Sequence, residues 1–129
     1  MKVLFVCVEN SNRSQMAEAF ARMHGPKGTE AHSAGSKPSG QVNAAAVEAM
    51  RERGYDLSRH CSKSLDGLPE VEFDVVVTMG CGDSCPHVRA WDRQDWNIPD
   101  PKGMGPDDFR AVRDLIEGKV KQLFAREER

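Results

Sequence analysis

Two patterns of apolar positions alternate along the chain. Short unbroken runs occur at Lys2–Val6 and at Phe73–Met79. Runs of this length, rich in β-branched residues, predict strands of a parallel sheet that are buried on both faces. The second pattern repeats every three or four residues. It covers Arg13–His24 with Met16, Ala17, Phe20 and Met23, and Gln41–Arg53 with Val42, Ala46, Val47 and Met50. It returns in Asp107–Arg126 with Phe109, Val112, Leu115, Ile116, Val120, Leu123 and Phe124. Each predicts an amphipathic helix. Gly25-Pro26 ends the first, and Gly54 is expected to cap the second. Glu30–Ala34 predicts a short strand closed by Gly35, and Trp96-Asn97-Ile98 a fourth one before the Pro99-Asp100-Pro101 turn. Ser62–Leu68 reads as one helical turn, and Gly80–Asp92 as a loop with a turn of helix.

Strands alternating with helices give an α/β fold. Right-handed crossovers then favour a small flavodoxin-like, doubly wound sheet of four parallel strands flanked by helices. With 129 residues and no repeat or linker, a single domain spanning 1–129 is expected. The 39% hydrophobic and 29% charged residues exclude wholesale disorder. A net charge of −2 gives no electrostatic footprint for nucleic acid. No apolar run reaches the ~18 residues of a membrane span, and the N-terminal run is too short for a signal peptide. A cytoplasmic monomer is the expectation. Four cysteines, Cys7, Cys61, Cys81 and Cys85, fall below the density of a secreted disulfide scaffold. In a reducing compartment such thiols are free, metal-binding or catalytic.

Cys7 stands where the first strand ends, five residues before Arg13 and Ser14, which open the first helix. A strand-to-helix loop of this length turns consecutive amides into an anion-binding hollow, and the helix N-terminus adds partial positive charge. Val8, Glu9, Asn10, Ser11 and Asn12 would supply the loop, with Arg13 and Ser14 completing an oxyanion site. The guanidinium suits a tetrahedral oxyanion, the surroundings favour the Cys7 thiolate, and Asn10 tolerates left-handed backbone. The plainer reading is a buried structural thiol. The carboxyl edge of a parallel sheet is where such folds bind ligands, which favours the chemical one.

These residues are similar to the low-molecular-weight tyrosine phosphatase superfamily and, within it, to the thioredoxin-coupled arsenate reductases. Residues 6–19 resemble the phosphate loop and first helix of that family, and Ser33-Ala34-Gly35 its second-strand signature. Met50–Leu65, Val77–Cys81 and Asp100-Pro101 resemble its later blocks. The resemblance implies that Cys7 attacks arsenate held by the loop and Arg13, and that Asp100 acts as general acid. Cys81 then takes the oxidation as a Cys7–Cys81 disulfide, and Cys85 passes it on as Cys81–Cys85 to thioredoxin or a similar thiol reductant. An (i, i+4) pair in a helical turn brings Cα atoms to about 6 Å, within disulfide range. No cofactor is implied.

Several features bear on the choice within the family. Lys102-Gly103-Met104 follows Asp100-Pro101 where the tyrosine phosphatases carry aromatic residues. Asn12 stands where related reductases often have a cysteine, and Glu9, unusual in an anion loop, is expected to face outward. Asn10, Glu18 and Ser33 match a potassium site of some reductases, but Lys63 stands in place of its aspartate. Its ammonium is expected to pair with Glu18, or to point to solvent, and no potassium dependence is expected. Other readings are a phosphatase that hydrolyses phosphate monoesters through Cys7, and an arsenite or zinc sensor. Zinc would use Cys81, Cys85 and His87 with His60 or Cys61, without the second Cys/His pair of a finger. Cys61 reads as structural, His24 and His32 as surface residues without partners, and Trp91 and Trp96 as loop anchors.

Overall fold

The computed structural model describes residues 1–64, 72–79 and 90–127. Strand β1 (Lys2–Cys7) pairs with β2 (Glu30–Gly35) on one side and β3 (Phe73–Thr78) on the other. Strand β4 (Ala90–Asp95) pairs with the far side of β3. All pairs are parallel, in the order β2-β1-β3-β4. The register sets Val6 beside both Ala34 and Thr78, and Cys7 beside Gly35.

Side chains alternate across the sheet. Val3, Phe5 and Cys7 of β1 join Val75 and Val77 of β3 in the larger core. Helices α1 (Arg13–His24), α2 (Ala44–Arg51) and α3 (Pro106–Glu127) contribute Met16, Phe20, Met50, Ile116 and Phe124 to it. Leu4, Val6, Ala34, Phe73 and Val76 form a smaller cluster on the opposite face. Among the described residues no helix is long and apolar enough to cross a membrane.

The elements depart from the sequence reading in four places. The fourth strand is Ala90–Asp95 rather than Trp96–Ile98. It is an edge strand, so it needs ladder bonds on one side only and no apolar face marks it. Trp96 and Ile98 are buried, but beyond the strand. Trp96 packs with its ring 5.9 Å from that of Phe5, and its main-chain N–H donates to the Thr78 carbonyl at 2.9 Å. Trp91, in contrast, is 81% exposed.

Helix α2 begins at Ala44 rather than Gln41. Asn43 caps it by accepting from Ala45 N at 3.0 Å, while Asn43 N donates to Ser11 O. A 3-10 turn at Leu57–Arg59, capped by Asp56, had no sequence signal beyond buried Leu57. The described part of Ser62–Leu68 is extended: Ser64 bridges to Gly35, and residues 65–71 lie outside the described residues. The two histidines also have partners. His24 meets Glu117 at 2.8 Å, joining α1 to α3, and His32 meets Glu30 at 3.0 Å.

Charge joins α2 to α3. Glu52 takes hydrogen bonds from Arg110 and Arg113. Arg110 first and Arg113 second pull its carboxyl from the ordinary 4.5 to about 2. A depressed carboxyl contributes stability that is complete above its unfolded value and is lost as pH falls through the folded one. The thermal midpoint of wild type should therefore exceed that of Glu52→Gln near pH 6, with the gap closing between pH 4.5 and about 2. A gap that stays constant across this range would show that the pairs carry no net stability.

Candidate active site

The anion loop is shaped by what its carbonyl oxygens accept. Cys7 O, Val8 O and Glu9 O accept from the amides of Ser36, Lys37 and Ser39, at 3.2, 2.8 and 3.1 Å. Ser11 O and Asn12 O accept from Asn43 N and Met16 N, each at 3.0 Å. In a planar trans peptide the N–H points opposite to the C=O. The amides after these carbonyls therefore turn to the other side of the loop, where the cleft lies. The turn requires one left-handed residue. Among the described residues Asn10 is the only non-glycine with positive φ, at 51°. Gly35 packs beneath it: a Cβ there would lie 2.5 Å from Val8 O and 2.9 Å from Asn10 N.

The cleft has a volume of about 360 Å³. Cys7, Val8, Glu9, Ser11, Asn12 and Arg13 line one side, and Asp100 and Lys102 the other. The Cys7 thiol is 3% exposed, with its sulfur 2.8 Å from Ser14 Oγ. Arg13 is anchored by Nη1, which donates to Ile98 O at 3.0 Å. Its Nη2 lies 4.0 Å from Asp100 Oδ2, so the rest of its donor fork is left for an anion. Asp100 accepts from Lys102 N and keeps its side chain 55% exposed. The arrangement offers a sulfur nucleophile, a fixed guanidinium and a carboxyl at one hollow.

Most of the expected loop residues meet there. Asn10 and Ser14 lie behind the cleft, fully buried, and act on it through hydrogen bonds. Glu9 stands at the mouth, where Lys102 Nζ reaches it at 3.2 Å. Cys81, Cys85 and His87 lie outside the described residues, so the relay and the zinc reading both rest on sequence. Cys61 is exposed, and its backbone carbonyl is what the structure uses. Gln15 was not singled out from the sequence, and Lys102 and Gly35 were named there without a role in shaping the cleft. Gln15 gave no signal, because a polar residue on an amphipathic helix normally faces water.

Glu18 is 2% exposed and is surrounded by donors. Ser33 Oγ donates to it at 2.6 Å, and Arg22 pairs with it at 2.9 Å. Lys63 Nζ lies 3.5 Å from Glu18 Oε1 and 3.5 Å from Ser33 Oγ, the first of the two placements the sequence left open for this ammonium. Burial lowers the proton affinity of neighbouring His60, against the opposing pull of Glu18.

Comparison with known proteins gives concordant matches. Residues 2–129 match the model of the family described as low molecular weight phosphotyrosine protein phosphatase. A glutaredoxin arsenate reductase of Synechocystis is 37% identical over 130 residues, 97% of each chain. A solved arsenate reductase in a phosphate-binding state superposes with a TM-score of 0.88 at 37% identity, over 97% of each chain. The thioredoxin-dependent arsenate reductase of Corynebacterium glutamicum gives 0.75 at 32% identity, over 96% of this chain and 60% of that one.

Gly35→Ala should damage the hollow from below, because the new methyl meets backbone rather than a mobile side chain. Phosphate should then protect Cys7 from alkylation about tenfold less well or worse, as misplaced contacts predict. Unchanged protection would separate Gly35 from the loop.

Proposed function

Since the chain belongs to the low molecular weight phosphotyrosine protein phosphatase family, and its relatives there include arsenate reductases, we propose that it reduces arsenate to arsenite through Cys7. The observation that carries this reading is the Cys7 sulfur in a cleft with the Arg13 fork on one side and Asp100 on the other. Amides and guanidinium hold the oxyanion. The Cys7 thiolate attacks arsenic, and Asp100 protonates the oxygen that leaves as water.

The electrons come from further thiols. The Cys81 thiolate attacks the Cys7 sulfur of the arsenic adduct. The new sulfur–sulfur bond leaves the former S–As pair on arsenic, which departs as arsenite. Cys85 then attacks Cys81 and frees the Cys7 thiolate. Thioredoxin or a similar dithiol reduces the Cys81–Cys85 bond. Two features support this reading. Thr78, at the end of β3, pairs with Val6 beside Cys7, and Cys81 follows it by three residues. The cleft mouth also carries Lys102 and Glu9 in place of aromatic residues that would hold a tyrosine ring. A cytoplasmic location suits thiols that must return to the reduced state.

Cys81→Ser should abolish arsenite release while leaving aryl phosphate cleavage at Cys7 largely intact. Cys85→Ser should release arsenite once and accumulate Cys7–Cys81, visible by non-reducing peptide mapping. Multiple turnover of arsenate by Cys81→Ser would overturn the relay and favour a phosphatase.

Asp100→Asn should slow the chemical step by about 10²–10⁴ in single-turnover measurements. Arg13→Lys should lose most activity, since an ammonium cannot form the planar fork. Wild-type rates in either variant would remove that residue from its assigned role.

A further inference from the structure

A buried line of side chains runs from the surface to the nucleophile. Tyr55 OH lies 2.6 Å from His60 Nε2, and His60 Nδ1 lies 2.9 Å from Gln15 Oε1. Gln15 Nε2 donates to Asn10 Oδ1 at 2.8 Å, and Asn10 Nδ2 donates to Ser14 Oγ at 2.7 Å. Ser14 Oγ in turn lies 2.8 Å from Cys7 Sγ.

Backbone groups settle which way these bonds point. Gln15 Nε2 faces two main-chain carbonyls, Asn10 O at 3.1 Å and Cys61 O at 2.8 Å, and a carbonyl oxygen only accepts. The amide nitrogen of Gln15 must therefore be at this end, and Oε1 must face His60. Asn10 Oδ1 receives the main-chain N–H of Lys63 at 2.7 Å, so Asn10 Nδ2 faces Ser14. Because Ser14 Oγ accepts from Asn10, its own proton is free for the sulfur. At the other end His60 Nδ1 faces two acceptors, Gln15 Oε1 and Glu18 Oε2, the latter at 3.4 Å, so Nδ1 carries the hydrogen. Neutral His60 then accepts from Tyr55 through Nε2. Arg22, Lys63 and Asp56 also act on this ring.

We propose that Gln15 is a positioning residue that gives this chain a single polarity, with every donor from Tyr55 to Ser14 aimed at Cys7. Gln15 also clamps Asn10, through its carbonyl and its side chain together, in the left-handed conformation the loop requires. The Ser14 hydroxyl thus meets the sulfur as a donor, both while it attacks and when it later leaves as a thiolate. This inference rests on Cys7 being the nucleophile of the proposed reaction, and it adds a residue that touches neither substrate nor sulfur.

Two measurements test it, and neither uses arsenate or turnover. Long-range proton–nitrogen NMR of wild type near pH 7 should find His60 neutral with hydrogen on Nδ1. Hydrogen on Nε2 would break the single polarity at His60 and overturn the proposal without any variant. The second measurement follows iodoacetamide alkylation of Cys7 against pH, with peptide mass spectrometry separating it from the other cysteines. In Ser14→Ala the midpoint should move up by about one pH unit, as loss of a hydrogen bond to the charged form predicts. Folded Gln15→Met should move it in the same direction, and the double variant no further than Ser14→Ala alone. An unshifted midpoint in Gln15→Met, or additive shifts in the double variant, would overturn the proposal. Failure of wild type to reduce arsenate, with these results intact, would instead refute the proposed reaction.

Discussion

The carboxyl edge of the sheet depends on where the carbonyl oxygens of residues 7–12 are satisfied. Buried carbonyls must be paired, and an anion hollow forms only if they are paired away from the anion. The segment after β2 meets this need with the main-chain donors of Ser36, Lys37, Ser39 and Asn43. Asn10 turns the chain, and Gly35 leaves the space beneath it. Cys7 owes its position to the β1 register and its environment to this peptide geometry.

The same constraint explains why polar residues are buried so densely around the sulfur. Asn10, Ser14, Gln15, Glu18 and Ser33 are all 2% exposed or less. An isolated buried polar group costs about 1–3 kcal/mol, so each must be paired. The segment at 60–63 supplies partners through His60, the Cys61 carbonyl and both ends of Lys63. Two stretches far apart in sequence thus hold the loop from below, and the cleft side is left to Arg13, Asp100 and Lys102.

This division shows what the sequence could disclose. Cys7, Arg13 and Ser14 were legible because they interrupt two strong hydrophobic patterns at the point where a strand becomes a helix. The β1, β3 and α3 segments were legible for the same reason, with ends within about two residues, as is usual for such boundaries. Strand β4 was not, because an edge strand is held by its backbone and Ala90–Asp95 carries polar side chains. The start of α2 was misplaced because Asn43 serves the anion loop and the helix cap together. Lys63 against Glu18 was legible through family resemblance alone, and Gln15 by no route, since its backbone and side-chain partners are brought to it only by folding.

That the loop is held by main-chain donors has an evolutionary consequence. Side chains at 36, 37 and 39 are free to drift so long as their N–H groups remain, and proline is the substitution that removes one. The chain already carries Pro38 between Lys37 and Ser39, both of which donate. A proline that sits between two required donors costs neither bond and stiffens the segment that presents them. Divergent sequences with this loop should therefore vary in composition along the stretch while keeping proline out of its donor positions.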